Sequence, residues 1–233
     1  MKIFTISDLH LSRSVDKPMN VFGNNWEGHD QKIMEDWNSR VSEDDIVLVA
    51  GDLSWGINYD EAREDLKAIC ELPGSKVLIR GNHDLWHQSV SKTRNELFNR
   101  TYFIQNDHVR IGDWYFVGTR GWKQKEEQDF TSQDEKIYIR EVSRLERSLR
   151  SLPPDACNVI GMIHYPPFSR DRENTAFTEL FSKYGVKLVV YGHLHGDISY
   201  DRSFEEIIVG ETRYLLTSCD FLDFKLKEII TGD

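Results

Sequence analysis

Cysteine is scarce in this chain: Cys70, Cys157 and Cys219 stand far apart and form no CxxC pair. That excludes a disulfide framework, a thioredoxin-type redox pair and a cysteine zinc finger, and it predicts free thiols in a reducing compartment. Positive charge is in deficit as well. Lys and Arg number 29 against 39 Asp and Glu, a formal charge of -10, so the long-range field repels polyanions and argues against nucleic acid as a partner. No apolar run approaches the roughly 20 residues of a membrane span. Met1-Lys2-Ile3 leads directly into a strand pattern, with no apolar leader or small-residue cleavage site, which predicts a cytoplasmic protein with no membrane partner. Low-complexity tracts and internal repeats are missing too.

What is present is a patterned globular sequence. Its 233 residues fit a single domain spanning 1–233. Short Val/Ile/Leu-rich runs predict buried strands at Lys2 to Ser7, Ile46 to Ala50, Lys76 to Ile79, Trp114 to Val117, Val159 to Ile163 and Val186 to Tyr191, as in sheets covered on both faces. Helical spacing lies between them: Ile33, Trp37 and Val41; Ala62, Leu66, Ile69 and Cys70 behind an Asn58/Glu61 capping box; Tyr138 to Leu152, closed by Pro153-Pro154; and Phe177 to Tyr184, ending near Gly185. Beyond Gly196 the pattern turns β-like at 198–200, 206–209, 212–216 and 224–230, with Gly210-Glu211 as a hairpin turn. The alternation predicts a layered α/β architecture. Two aperiodic stretches, 11–28 and 121–133, are candidate rims of a site.

Five of the six predicted strands end in a polar cluster: Asp8-Leu9-His10, Gly51-Asp52, Gly81-Asn82-His83-Asp84, His164, and Gly192-His193-Leu194-His195. Ligands of open α/β sheets bind outside the carboxyl ends of the strands, so these clusters are expected to converge. Asp8 and His10 are two residues apart, as are His193 and His195, and an extended backbone points such pairs to one side. Glycines at 51, 81 and 192 allow the backbone to approach an ion closely. Imidazole and oxygen donors without a thiolate favour Mn, Fe or Zn over Ca. Seven donors exceed one tetrahedral shell and suit two ions sharing a carboxylate.

The order of these five motifs resembles the calcineurin-like metallophosphoesterase superfamily from Asp8 to His195. The resemblance implies a four-layer α/β/β/α sandwich, two mixed sheets flanked by helices. It also implies a phosphoric ester hydrolase that cleaves a phosphomonoester or phosphodiester through a metal-bridging hydroxide. Two transition-metal ions would be held, one by Asp8, His10, Asp52 and His195, the other by Asp52, Asn82, His164 and His193, with Asp52 bridging. Strand geometry alone would place His193 and His195 on one ion. The family pattern splits them, and two ions ~3.5 to 4 Å apart can both be reached from one strand end. By the same resemblance His83 is the general acid or charge stabiliser beside the leaving oxygen, and Asp84 orients its imidazole. The two cations, set against Asp8 and Asp52, leave a positive focus for phosphate in an acidic protein.

A small-molecule or nucleotide phosphate ester is the expected substrate. A nuclease or phosphoprotein phosphatase would need a different rim, and a non-catalytic scaffold would lack ligands that are all present here. Arg80 and Arg120 could reach phosphate, although salt-bridged arginines are the commoner case. Trp26, Trp55 and Trp122 could stack on a leaving group or cover the core edge. His29, His87 and His108 fall outside the pattern and are expected to be structural.

Overall fold

The computed structural model describes residues 1–230. Two mixed sheets lie face to face. The first has the order β11 (Lys227–Ile230), β1 (Ile3–Ile6), β2 (Ile46–Val49), β3 (Ser75–Leu78), β4 (Thr101–Phe103), with β1 to β4 parallel and β11 antiparallel. The second runs β5 (His108–Ile111), β6 (Trp114–Thr119), β7 (Asn158–Ile163), β8 (Leu188–Tyr191), β10 (Thr212–Leu216), β9 (Glu206–Val209). Its four central strands are parallel and both edges antiparallel.

Side-chain alternation along the strands builds three apolar layers. Ile46, Leu48 and the following Ala50 face the second sheet, where they meet Phe116, Ile160, Met162 and Val190. Val47 and Val49 face outward onto α1 (His29–Arg40) and α2 (Tyr59–Glu71) through Ile33, Trp37, Leu66 and Ile69. On the far side, Val117, Val189 and Leu216 pack against Tyr138, Leu145 and Leu149 of α4 (Ser132–Arg150) and Phe177 and Phe181 of α5 (Ala176–Lys183). The result is the expected α/β/β/α sandwich. Each fully buried Leu, Ile or Phe contributes about 1.5 to 3 kcal/mol by leaving water.

The helix starts follow local chemistry. Asn58 caps α2 by accepting from the Glu61 N–H at 3.1 Å. The reciprocal half of the expected box is corrected: Glu61 accepts from the Ile57 N–H at 2.9 Å. Complete boxes occur instead at Thr131/Asp134 and Thr175/Thr178, opening α4 and α5. At the other end of α2, the buried Lys76 of β3 donates to the carbonyls of Cys70, Leu72, Gly74 and Asn99 at 2.7 to 3.1 Å. Its cation satisfies acceptors that the helix end leaves open.

Several sequence expectations change. Residues 198–200 lie in a 3-10 helix, Gly196–Tyr200, because the chain turns directly after the site and pairs with no strand there. The last strand is only Lys227–Ile230, since Phe221 and Phe224 serve as buried plugs in turns rather than as strand residues. β4, β5 and the short helix α3 (Val90–Glu96) were not expected; each is too short to show a period. The 11–28 segment carries two 3-10 turns, Met19–Phe22 and Asn24–Trp26.

Candidate metal centre

The clusters converge. Asp8 and His10 follow β1, Asp52 follows β2, Asn82 and His83 follow β3, His164 follows β7, and His193 and His195 follow β8, so both sheets contribute at one edge of the sandwich. His195 Nε2 lies 3.2 Å from Asp8 Oδ1, and His164 Nε2 lies 3.4 Å from Asp52 Oδ2. His10 Nε2 is 3.8 Å from that same Asp52 oxygen. Asn82 Oδ1 sits 2.6 Å from His164 Nε2 and 2.9 Å from His193 Nδ1.

The backbone is bent to achieve this. Asp8, His10, Asp52 and His193 all have positive φ, at 59°, 46°, 52° and 74°. For residues other than glycine this costs on the order of 1 to 3 kcal/mol each and is held only where surrounding structure over-determines it. Here the neighbouring glycines give the carboxylates room. A Cβ on Gly81 would fall 2.0 Å from Asp52 Oδ1, and one on Gly192 would fall 2.3 Å from Asp8 Oδ2. The carboxylates are then fixed by donors: Asp8 by the Ser7 hydroxyl at 2.6 Å and the His193 N–H at 3.1 Å, Asp52 Oδ1 by the His83 N–H at 2.8 Å.

The donor atoms fit metal ions better than they fit each other. His10 Nδ1 and His195 Nε2 are buried without a hydrogen bond, although His195 Nε2 is within 3.2 Å of a carboxylate oxygen. Nitrogen and oxygen that are close but misaligned are what two ligands aimed at a common point produce. Two groups, Asp8/His10/His195 and Asp8/Asp52/His164, each bring ligand atoms within 4.8 Å of one another. Burial works against charge on His10, His164, His193 and His195. It prevails at His10 and His193, pushed down to about 4 and about 3. At His164 and His195 the adjacent carboxylates, Asp52 for one and Asp8 for the other, overcome it and raise them to about 9 and about 10. Asp52 is held at about 2 against its own burial, chiefly by His164, and Asp8 lower still, chiefly by His195. The carboxylates therefore demand cationic partners, and bound ions would displace those two protons.

The expectation that Asp84 orients the His83 imidazole is corrected. Asp84 is fully buried, and its oxygens accept from the backbone N–H groups of Asp52, Leu53, Ser54 and Gly81 and from Trp86 Nε1, at 2.7 to 3.3 Å. It ties the turn after β3 to the turn after β2. His83 is steered by rings instead: its centroid lies 4.4 Å from Trp55 and 5.5 Å from His10. Asp220, four residues past β10, was missed. It accepts from His195 Nδ1 at 2.8 Å and from the Gly196 N–H at 3.2 Å, fixing the ring that aims Nε2 at Asp8. The available signal was the apolar end of the 212–216 segment, Tyr214 to Leu216, followed by the polar cluster Thr217-Ser218-Cys219-Asp220. Cys219 beside it donates its thiol to the Asp8 carbonyl at 3.0 Å, and burial pushes that thiol up, which keeps it protonated.

The surrounding residues divide by role. Trp26, Trp55, Met19 and Phe22 join His10, His83 and His195 around a cavity of about 280 Å³. Trp122 instead donates to Asp134 at 3.0 Å and packs on Tyr165. Arg120 pairs with the buried Glu141 at 3.1 Å, the salt-bridged alternative. Arg80 has a buried Nε without a partner. His29, His87 and His108 bond Leu9 O, Thr93 Oγ1 and Ser151 Oγ. Among the described residues no helix is long and apolar enough to cross a membrane.

The family model for calcineurin-like phosphoesterases matches residues 1–197. Over 206 residues the chain is 24% identical to a probable cyclic nucleotide phosphodiesterase of Xenorhabdus bovienii, covering 84% of this chain and 78% of that protein. It is 36% identical over 103 residues to the gene 66 protein of Mycobacterium phage L5, covering 44% of this chain. That match spans 48%, about half, of the phage protein's length. Phosphopantetheinyl hydrolase from Mycobacterium tuberculosis shares the fold, with a TM-score of 0.60 at 15% identity over 99% of this chain and 96% of that one. A protein of unknown function from Aquifex aeolicus aligns over 97% and 95% with a TM-score of 0.51 at 16% identity.

Proposed function

We propose, given that the chain belongs to the calcineurin-like phosphoesterase family, that it hydrolyses a small-molecule or nucleotide phosphate ester at a dinuclear metal centre. One ion would be held by Asp8, His10, Asp52 and His195, the other by Asp52, Asn82, His164 and His193. The observation that carries this reading is the position of Asp52 Oδ2, 3.8 Å from His10 Nε2 and 3.4 Å from His164 Nε2. One carboxylate oxygen thus faces ring nitrogens of both sets, as a shared ligand must. The grouping of ligand atoms also places Asp8 near both sets, but both of its oxygens accept hydrogen bonds, from Ser7 and the His193 N–H, whereas Asp52 accepts the His83 N–H on Oδ1 and turns Oδ2 to the imidazoles, which favours Asp52 as the bridge.

When bound, divalent ions of the Mn, Fe or Zn type would polarise phosphoryl oxygens and acidify water. The protein's own part is to hold and to protonate. Asp8 and Asp52 supply only two negative charges against two divalent ions, and neutral imidazoles and Asn82 add none, so the loaded centre would keep a positive charge that attracts an anionic phosphoryl group. His83, half-buried between Trp55 and His10, is positioned to give a proton to the leaving oxygen. Asp220 holds the His195 ring in place. The similarity to a probable cyclic nucleotide phosphodiesterase supports a diester within the substrate range.

The test is turnover of p-nitrophenyl phosphate esters by purified protein reconstituted with Mn²⁺. Activity is expected with the ions, lost in strong chelator, and abolished by Asp52→Asn. Undiminished activity in that variant would overturn the shared-carboxylate assignment.

A further inference from the structure

Two cavities adjoin the cluster of candidate ligands, one through His10, His83 and His195 and the other through His193, and they differ in lining. The smaller, about 280 Å³, is walled by Met19, Phe22, Trp26 and Trp55 beside His10, His83 and His195. Its rings are mutually fixed. Trp55 stacks on His10 at 4.8 Å with a 21° interplanar angle, its Nε1 donates to Met19 Sδ at 3.0 Å, and Trp26 stands edge-on to His195 at 5.7 Å. Phe22 at the mouth is 65% exposed. The other cavity, about 810 Å³, begins at His193 and Tyr165 and is charged as well as apolar, with Lys123, Arg170 and Arg172 set against four carboxylates including Glu127 and Asp129, beside Phe168 and Phe204. Part of that charge is already internally matched, since Lys123 pairs with Asp129 at 2.9 Å.

A phosphomonoester has one organic substituent and needs one such cavity. A phosphodiester has two, which leave the phosphorus in different directions. Resting on the phosphoesterase reading above, we propose that the substrate is a phosphodiester joining a planar aromatic alcohol to a polar group that carries no further net negative charge. The aromatic part occupies the tryptophan pocket, because a preformed slot of rigid rings favours stacking. The polar part lies in the larger cavity, whose three cations against four carboxylates offer no excess of positive charge for a second phosphate or a nucleic-acid backbone.

This also assigns which bond breaks. His83 lines the aromatic pocket and not the polar cavity, so the leaving oxygen belongs to the aromatic alcohol. The oxygen of water forms the new P–O bond, and the P–O bond to the aromatic alcohol breaks with its electron pair on the leaving oxygen. That oxygen takes a proton from His83, and the proton released by water restores it. The products are the free aromatic alcohol and the phosphomonoester of the polar group.

The test compares kcat/KM of the Mn²⁺-loaded protein for p-nitrophenyl phosphocholine, a diester with a zwitterionic substituent, and p-nitrophenyl phosphate. Binding of phenylphosphonate and methylphosphonate, measured by calorimetry, reads the pocket without turnover. The diester is expected to be preferred by tenfold or more, and phenylphosphonate to bind about tenfold more tightly than methylphosphonate, the scale of one stacking contact. Phe22→Ala, at an exposed position that leaves the core intact, is expected to shrink the phenyl preference while methylphosphonate affinity stays constant. Equal or better turnover of the monoester overturns the two-sided substrate and leaves the phosphoesterase reading standing. Equal binding of the two phosphonates removes the aromatic pocket. Absence of turnover with either ester overturns both readings.

Discussion

Replacing Asp220 by Asn isolates the contribution of a residue that lies outside the proposed ligand set yet orients one of its members, His195. The Asp220 carboxylate holds His195 Nδ1 at 2.8 Å through one oxygen and the Gly196 N–H at 3.2 Å through the other. Asparagine keeps one acceptor, but its NH₂ group then faces a second N–H donor, so either the ring or the backbone loses its bond. The anionic partner that makes the imidazole more basic is lost in either case. Outer carboxylates of this kind are typically worth 10- to 100-fold in metal affinity, or about 1.4 to 2.7 kcal/mol. Asp220 has no contact with His164, His193 or Asn82 among the described hydrogen bonds, so only one of the two ions should be affected. A competition titration of Mn²⁺ or Zn²⁺ against a fluorescent chelator resolves the two steps. One is expected to weaken by 10- to 100-fold while the other keeps its affinity. Two unchanged steps would refute the role of Asp220, and equal weakening of both would refute the division of ligands into two sets.

Gly81→Ala places a methyl group against both the carboxylate and the backbone nitrogen of Asp52; the turn after β2 must shift with the carboxylate, and turnover should fall by at least about 10²-fold, the cost of a ~1 Å misplacement, with far-UV circular dichroism checking that the fold is kept. Glu141→Gln removes the buried counter-charge that Arg120 shares with Arg144, and should cost about 3 to 5 kcal/mol in urea unfolding because the Arg120 guanidinium, whose side chain is only 10% exposed, is left unpaired; a loss under about 1 kcal/mol would refute the buried-pair reading. His87, buried beside Phe103 and bonded to Thr93, is pushed down to about 4, chiefly by burial. The unfolded chain therefore takes up the proton first, so His87's contribution is complete above about pH 6.5 and is lost as pH falls toward 4. Between pH 7 and pH 5 this amounts to about 2 kcal/mol, and His87→Asn should show a correspondingly shallower loss of stability in thermal melts at the two pH values.

How much of this was readable in advance depended on range. The strand cores, the four longer helices and the ligand set announced themselves because each is a local pattern: a buried apolar run, a 3.6-residue stripe, a polar cluster where a run stops. β4, with three residues, and α3, with seven, lack the length to display a period. Asp84 illustrates a different failure. Its place next to His83 suggested a partnership, but the tight turn sends the two side chains apart, one into the core and one toward the pocket.

The sequence by itself determined the kind of chemistry, since donor types, glycines and strand ends are local properties of the chain and together select a metal centre for phosphate. Tertiary structure alone decided which donors gather around one carboxylate oxygen, that Asp220 from β10's end holds a histidine 25 positions away, and that two unlike cavities adjoin the cluster. Those facts arise from the stacking of two sheets, which brings together residues such as Asp8 and His193, 185 positions apart. No periodicity along a single chain encodes a distance between two sheets.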